Sequence, residues 1–444
     1  MSAIRKVTVA ILSWNGRRHL ETCLDALAVQ QDPGVDWEIL VLDNGSTDGT
    51  AAWMRERWGR DRRVRLIESP ANLGFCGGNN RLTAEADGDA LALLNNDTCP
   101  EPGWLGALVE TLASAPPDVA AVSGKIVDWN GERLDFGRGL MTFDGHAFQL
   151  DFRKPLGAAR VPKAGEELAF ACGGNLLVRR ASFLEAGGFD ESYFAYLEDV
   201  DLGWRLWSGG ERIVFAPGAV VHHRSSATSD LLGLYNRGFL FERNAFLTAS
   251  KNYEDGLWEK VLPAVMLTLI SRTQALLLAN PGMDTLRIDP YAGHIANTAP
   301  NGSALPPETR IELPPATTWE GFKVRWHGYG PREFLQRGLR KLGVAPPAPV
   351  PAGDGPRLTD ERTIAQFRAL HWITGHLDAA AASRAAAQKR RKRSDREIFE
   401  RFPAYLVPTY PGDLELFASP GFQAWMPKEL PVVRAEIGEI MELG

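Results

Sequence analysis

The chain has 444 residues, 44% hydrophobic and 23% charged, the balance of a soluble globular protein that can bury a full core without disulfides. That length suits one large domain with additions, or two or three smaller domains, and the formal net charge of −6 argues against a general nucleic-acid binder. Cys23, Cys76, Cys99 and Cys172 are scattered without a C-x-x-C pair, which excludes a zinc motif and a disulfide framework and fits a reducing compartment.

The first six residues carry no charged, apolar and cleavage-site succession, so no signal peptide is expected. Val7–Ser13 is a short apolar run suited to a buried parallel strand. Arg17–Gln31 sets Leu20, Leu24, Leu27 and Ala28 at helical spacing. Strands are predicted at Trp37–Leu42, Val64–Ile67, Ala90–Leu94 and Val119–Ser123, with helices at Thr50–Trp58, Asn79–Ala86 and Pro102–Ala113 between them. This alternation implies a parallel sheet wrapped by helices, with ligands beyond the carboxyl ends of the strands. From Gly124 to Glu167 the pattern weakens. Alternation returns at Leu168–Val178, a further segment runs over Phe194–Trp207, and Ile213–Val221 reads as a strand. Leu231–Ala279 is helical in pattern. Within it Val261–Ala279 is the most lipid-like stretch, but Pro263, Arg272, Thr273 and Gln274 make it too polar for a clean membrane span. Pro281–Pro315 reads as loop and Ala345–Pro356 as a linker. Ile364, Phe367, Leu370, Ile373 and Leu377 mark a helix face, followed by an Ala-rich stretch and the basic run Lys389–Arg393.

Three polar clusters follow predicted strands: Ser13-Trp14-Asn15-Gly16, then Asp43 through Thr50, then Asn95-Asn96-Asp97. In a doubly wound sheet they converge on one crevice. Asp43 suits a base or ribose, and Asp97 is a hard oxygen ligand for Mg²⁺ or Mn²⁺. The same compositions also make ordinary turns and helix caps. Asn72 through Asn80 contains glycines that let a backbone approach a ligand and precede a helix with free N–H groups; tight packing is the other reading. Glu198, Asp199 and Asp201 lie within an aromatic and apolar run, where carboxylates are costly unless paired, solvated or functional. His222-His223 follow a predicted strand, with Asp97 as a co-ligand.

In order and spacing these segments resemble family-2 inverting glycosyltransferases of the GT-A fold, over residues 6 to about 253. The elements are V-A-I-L-S-W-N-G, V-L-D-N-G-S-T-D-G-T, N-L-G-F-C-G-G-N-N, L-L-N-N-D-T, C-G-G-N-L-L-V-R-R, G-G-F-D-E-S-Y-F-A-Y-L-E-D-V-D-L-G-W-R and V-V-H-H-R-S-S-A-T. F-E-R-N-A-F-L-T-A-S-K-N-Y also looks like the rhamnosyl- and galactofuranosyl-transferring branch that builds bacterial surface polysaccharides. The resemblance implies an α/β fold, a Rossmann-like nucleotide-sugar-binding sheet with an acceptor subdomain over 1–230. A helical and irregular extension would follow over 231–344, then a Pro-rich linker over 345–357 and a helical region over 358–444.

The resemblance further implies that Ser13, Asn15 and Asp43 hold the nucleoside of a dTDP- or UDP-sugar, with Asn79 or Asn80 near it. Asn95-Asn96-Asp97 stands where the family has its Asp-x-Asp. Its first acid is Asn95 here, a neutral group able to bond ribose, so Asp97 and His223 are left to hold Mg²⁺ or Mn²⁺. Asp199 matches the catalytic base. Gly173, Gly174 and Asn175, with Glu198, would lie near the donor phosphates or the acceptor. The acceptor is expected to be a saccharide, free or lipid-linked, the protein cytoplasmic with a peripheral membrane contact through Val261–Ala279 and the basic run, and no nucleic acid is expected as partner. A catalytically silent nucleotide-sugar or glycan scaffold is one competing reading. A nucleotidyltransferase is another, but Ser-Trp-Asn-Gly-Arg-Arg after the first strand is a poor triphosphate loop.

Overall fold

The computed structural model describes residues 4–224, 233–283, 317–329 and 358–442, and the single positions 315, 335, 339 and 342. The first half alternates as the sequence implies: β1 (Lys6–Ser13), α1 (Arg17–Ala28), β2 (Asp36–Asn44), α2 (Thr50–Trp58), β3 (Val64–Ser69), α3 (Gly74–Glu85) and β4 (Ala90–Asn95). Then come β5 (Thr98–Pro100), α4 (Trp104–Ser114), β6 (Val119–Asp128), β7 (Leu134–Phe136), and the hairpin β8 (Gly139–Met141) and β9 (Ala147–Gln149). β10 (Asn175–Arg179), α5 (Arg180–Glu185), α6 (Glu198–Ser208) and β11 (Arg212–His223) complete this part, and α7 (Gly233–Asn252) and α8 (Asp255–Leu277) extend it.

The main sheet runs β3-β2-β1-β4-β10-β6-β11-β5, with β7 on β6. β1 pairs in parallel with β2 and β4, and β2 with β3, so half of the sheet is the expected doubly wound arrangement. Val7, Val9, Ala10 and Ile11 on β1 are at most 1% exposed, as are Ala90–Leu93 on β4. Strands covered on both faces need such unbroken apolar runs. The other half is mixed. β10 is antiparallel to both β4 and β6, which corrects the expectation of a uniformly parallel sheet. The excursion from β6 through the β8–β9 hairpin returns the chain from the opposite end, a reversal that local alternation does not reveal.

Two element boundaries also differ from the sequence reading. α3 begins at Gly74, not Asn79, and takes in most of the glycine segment. Its N–H groups at Phe75 and Cys76 already bond the Phe194 carbonyl at 2.7 and 3.1 Å, so they offer nothing to an anion. The helix Glu361–Gly375 buries Thr363, Ala365, Gln366, Ala369 and Ile373, whereas Phe367 and Leu377 are exposed, so its buried face is the small-residue one that packs on α7. The linker 345–356 and most of 281–315 lie outside the described residues.

By length and apolar composition α8 would pass as a membrane span. Here one side of it packs into the protein through Leu257, Val261, Val265, Leu269 and Leu276, while Met266 and Ile270 are exposed. On the packed side Arg272, 3% exposed, holds Asp413 through Nε and Nη2 at 2.9 and 3.1 Å and Asp144 through Nη1 at 2.9 Å. Asp144 sits in the β8–β9 turn beside His146, whose Nε2 lies 3.2 Å from Glu242 of α7. Burial would lower the His146 pKa, but the Asp144 and Glu242 carboxylates hold it up at about 9. One buried network thus fastens the hairpin, α7, α8 and the segment around Asp413 together.

The basic run does not lie on a helix. It forms the turn between Leu377–Gln388 and Asp395–Arg401. Arg393 donates to the carbonyls of Trp207 and Glu211 at 2.8 and 3.0 Å, and Arg391 pairs with Asp395 at 3.0 Å and bonds the Asn252 carbonyl. Those two cations serve to dock the helical region on the sheet domain. Arg272→Met should leave Asp413 buried without its cation and Asp144 with His146 alone. It is expected to lower stability to urea by about 3–5 kcal/mol, and a loss below about 1 kcal/mol would show that this network does not fasten the fold.

Candidate active site

A cleft of about 540 Å³ opens at the carboxyl ends of β1 and β4. Its polar end is lined by Trp14, Asn44, Asn72, Asn95, Asn96, Asp97 and His223, and Gly173, Gly174, Glu198 and Asp199 form its middle. β11 delivers His222 and His223 to opposite faces, as strand alternation requires. His222 turns to the Trp129 carbonyl and Glu101, at 3.2 and 3.4 Å. His223 turns to the cleft, with Nε2 3.4 Å from Asp97 and Nδ1 2.9 Å from Asp135. Burial works against a charged imidazole there, yet the bonds to Asp135 and Asp97 hold its pKa up at about 10. Asp135, which the sequence reading missed, fixes the ring orientation. Its only sequence signal is an acid within the apolar β7 run Leu-Asp-Phe.

Glu198 and Asp199 start α6. Burial, then the adjacent Asp199 charge, pushes the Glu198 pKa well above the usual carboxylate range. Burial also pushes Asp199 up, to about 6, against the N–H groups of Gly173 and Val200 at 3.3 and 2.9 Å. Each of the two adjacent carboxylates disfavours the other's charge, and the amides of Gly173 and Val200 favour the ionised form of Asp199. The third acid, Asp201, does not belong to the cleft. It is fully buried and paired with Arg205 at 2.8 Å and Lys251 at 3.2 Å, which keeps its pKa low despite burial.

Several of the sequence candidates lie behind the cleft wall. Ser13 is 0% exposed and its Oγ accepts from Asn96 at 3.0 Å. Asn15 accepts from the Thr47 amide at 2.8 Å and Asp43 from the Ser46 amide at 3.0 Å, so both shape the β1 and β2 loops beside the polar end. Asn79 donates within its own helix to Phe75. Asn80 both donates to and accepts from Phe189, at 2.8 and 2.9 Å. Asn175 accepts from Trp104 Nε1 at 2.8 Å and donates to the Lys125 and Ala219 carbonyls at 3.1 and 3.0 Å. The polar groups of Ser13, Asn79, Asn80 and Asn175 are thus engaged inside the fold, beside the cleft and not on its lining. Gly174 stays at the cleft because a Cβ there would come 2.8 Å from Asn95 Nδ2.

A second position missed by the sequence reading is Asn244. The turn before Glu198 holds Phe194, Tyr196 and Leu197 at φ of 64°, 71° and 64°. This left-handed region costs a non-glycine residue of order 1 kcal/mol or more unless its surroundings impose it. Asn244 on α7 is 0% exposed, and its Nδ2 lies 2.8 and 2.7 Å from the carbonyls of Ala195 and Tyr196 and 3.1 Å from that of Tyr193. Arg243 donates to Ser192 and Tyr193 at 2.7 and 2.8 Å. Together they impose the turn that aims the two carboxylates.

Residues 8–187 match the family model described as glycosyl transferase family 2. The chain is 35% identical over 241 residues to an N-acetylglucosaminyl-diphospho-decaprenol L-rhamnosyltransferase of Mycobacterium tuberculosis, covering 50% of this chain and 76% of that one. It is 32% identical over 220 residues to an O-antigen biosynthesis protein of Myxococcus xanthus, covering 47% of this chain and 16% of that one. Among solved structures, GalNAc-T7 with UDP, GalNAc and Mn²⁺ aligns with a TM-score of 0.45 at 13% identity, over 60% of this chain and 52% of that one. TarS of S. aureus in complex with UDP-GlcNAc aligns with a TM-score of 0.42 at 18% identity, over 62% and 75%.

Because Asn244 touches the turn and not the cleft, its loss should separate turnover from binding. Asn244→Leu is expected to lower kcat by about 10²-fold, the scale of an ångström-sized misplacement, with the nucleoside diphosphate affinity and the KM for donor unchanged. Equal losses in kcat and donor affinity would show instead a general disruption of the fold.

Proposed function

The chain belongs to glycosyl transferase family 2 and is a glycosyltransferase enzyme, and on that premise we propose that it transfers one sugar, with inversion, from a dTDP- or UDP-sugar to a hydroxyl of a saccharide acceptor, free or lipid-linked. The observation that carries this reading is the single cleft shared by Asp97 and His223 at one end and by Asp199 in the middle. The donor diphosphate belongs at the Asp97–His223 end and the acceptor hydroxyl at Asp199. Trp14, Asn44 and Asn95 face the nucleoside and its ribose, with Asp43 and Asn15 shaping the loops beneath. The setting is bacterial surface polysaccharide synthesis at the cytoplasmic face of the membrane. Residues 1–230 act as the catalytic domain, and the helical regions beyond it as its support.

The donor set suits a divalent cation. One carboxylate and one imidazole, 3.4 Å apart, face the cleft, and the carboxylate behind the imidazole is the usual outer partner of a ligating histidine. Among the described residues no third His, Cys, Asp or Glu joins them, so Asp97 and, once the cation displaces its Nε2 proton, His223 would hold Mg²⁺ or Mn²⁺ together with the donor diphosphate. When bound, the cation supplies charge stabilisation to the departing diphosphate. A leaving group so stabilised needs no protonation, so one base is enough, unlike the two carboxylates of glycoside hydrolysis. Asp199 takes the acceptor proton as the new bond forms. The short gap between Asp199 and the Gly173 amide holds the carboxylate toward the cleft.

Asp199→Asn is expected to lower transfer by about 10²–10⁴-fold, the range of a lost general base, while donor binding stays intact; near-normal turnover would remove Asp199 from the role. In the wild type the base must be ionised, so the rate should be level well above pH 6, fall to about half near pH 6 and go on falling below it. A profile flat down to pH 5 would contradict that assignment. For the cation, Asp97→Ala should weaken the joint binding of Mn²⁺ and nucleoside diphosphate in calorimetry. Unchanged affinity for UDP and dTDP in the presence of Mn²⁺ would place the cation elsewhere.

A further inference from the structure

Successive residues of α7 reach different parts of the active site. Phe241 lines the cleft, Glu242 faces the β8–β9 turn, and Arg243 and Asn244 hold the backbone of the turn before Glu198. Consecutive residues on a helix point around its axis in steps of about 100°, so α7 passes between the hairpin and that turn and touches both. The hairpin is pressed on α7, because a Cβ on Gly145 would collide with the Ala245 carbonyl oxygen. Beside it His146, 5% exposed, has Nδ1 3.1 Å from Asp144 and Nε2 3.2 Å from Glu242. Its ring rests on Phe241, 5.1 Å between centroids, and the residues that follow it, Ala147, Phe148 and Gln149, stand on the cleft lining. We propose that His146 and Glu242 are a positioning pair, which joins the hairpin wall of the cleft to α7 and, through Arg243 and Asn244, to the turn that aims Asp199, so that the two sides of the cleft keep one spacing. The inference rests on the glycosyltransferase reading for the role of Asp199, and it adds two residues that the reaction as derived above does not use.

The joint depends on the charge of the imidazole. A charged ring donates from both nitrogens and a neutral ring from one, so loss of the proton leaves one of the two carboxylates without its donor. Asp144, on the ring's own turn, also takes the Thr142 hydroxyl and Arg272 of α8, the latter at 2.9 Å. Glu242 also accepts from the Tyr410 hydroxyl, and Asp413 stands behind Arg272 at 2.9 Å. Burial opposes a charged His146, but Asp144 and then Glu242 raise its pKa to about 9. Burial lifts Tyr410 well above the usual phenol range. Burial would lower Arg272, yet Asp413 and Asp144 hold it well above the usual guanidinium range. Tyr410 and Arg272 therefore titrate higher, and His146 is the member of the cluster whose charge changes near pH 9. A raised pKa means that the joint is complete below the ordinary histidine value and is lost as the pH rises through about 9.

Amide hydrogen exchange of the full chain between pH 7 and 10, corrected for the intrinsic rate, reads local opening segment by segment and needs no substrate. In the wild type, residues 139–149 and 193–200 are expected to lose protection together, at least tenfold, as the pH passes about 9, while β1 and β4 keep theirs. In Glu242→Gln only Asp144 supports the charge, so the same step should fall at least one pH unit lower. In His146→Gln both segments should exchange at least tenfold faster than in the wild type at pH 7, with no step. Calorimetry at pH 7 with UDP or dTDP and Mn²⁺ should give the same nucleotide affinity for all three proteins. Absence of the step in the wild type would overturn the pair, as would a step confined to 139–149 or one that Glu242→Gln leaves in place. Equal loss of protection in β1 and β4 would show a general loosening of the fold and overturn it too. Failure of all three proteins to bind either nucleotide would instead overturn the glycosyltransferase reading, whatever the exchange shows.

Discussion

Two carboxylates next to each other in the wall of a cleft disfavour each other's charge, and among the described residues no lysine or arginine lines this cleft to relieve them. The backbone N–H groups of Gly173 and Val200 favour charge on Asp199, while burial and the neighbouring Asp199 charge push the Glu198 pKa up. Much of the surrounding structure serves this inequality. The Cys172-Gly173-Gly174 turn brings an amide to Asp199. Three left-handed residues set the pair at the first turn of α6, where the helix dipole also favours a negative charge. Asn244 and Arg243 hold that backbone from α7, and α7 is in turn held by the helical region packed on it. α7 thus reaches the reacting centre through the backbone carbonyls it holds as well as through Phe241, which lines the cleft.

The sheet's parallel half was legible because its signals are local. β1, β2 and β4 each carry a mainly apolar run followed at once by a polar cluster. Asp97, His223, Glu198 and Asp199 were legible because ionisable groups beside apolar strands stand out on cost alone. The asparagines were misleading for the same reason that makes them common in loops. Their amides satisfy backbone groups as readily as they bind ligands, and in Asn80 and Asn175 every side-chain polar group finds a protein partner. The glycines of α3 were read as a ligand-facing loop, but a Cβ at Gly78 would come 2.4 Å from Leu12, so that glycine serves helix-to-strand packing.

What the sequence hid is uniformly long-range. β10 runs antiparallel because of a hairpin excursion whose strands are three residues each, too short for periodicity to show. Asp135 acquires its role only when β7 folds back on β6. Arg133 and Glu442 are 309 positions apart, and no local pattern pairs them. The basic run shows the converse. It is conspicuous by composition, yet Arg391 and Arg393 owe their place to carbonyls of Asn252, Trp207 and Glu211 that only the tertiary structure presents.

These distances suggest how the labour is divided along the chain. The groups assigned to donor and cation stand on strands of the central sheet, whose positions are fixed by ladders on both sides. The wall opposite them is built by a hairpin, a turn around Asp151 and a segment that arrives from the far side of the helical region. Its attachment is ionic: Arg272 is buried with Asp144 and Asp413, and buried Asp151 is held by Lys154 and by the largely exposed Arg160. Buried pairs of this kind are demanding in geometry, because either partner alone would be left uncompensated. They therefore fix position more strictly than apolar contact alone, which tolerates sliding. Backbone bonds add to that strictness: Phe148 stands in the β8–β9 ladder, and the Glu442 amide bonds the Phe152 carbonyl at 2.9 Å.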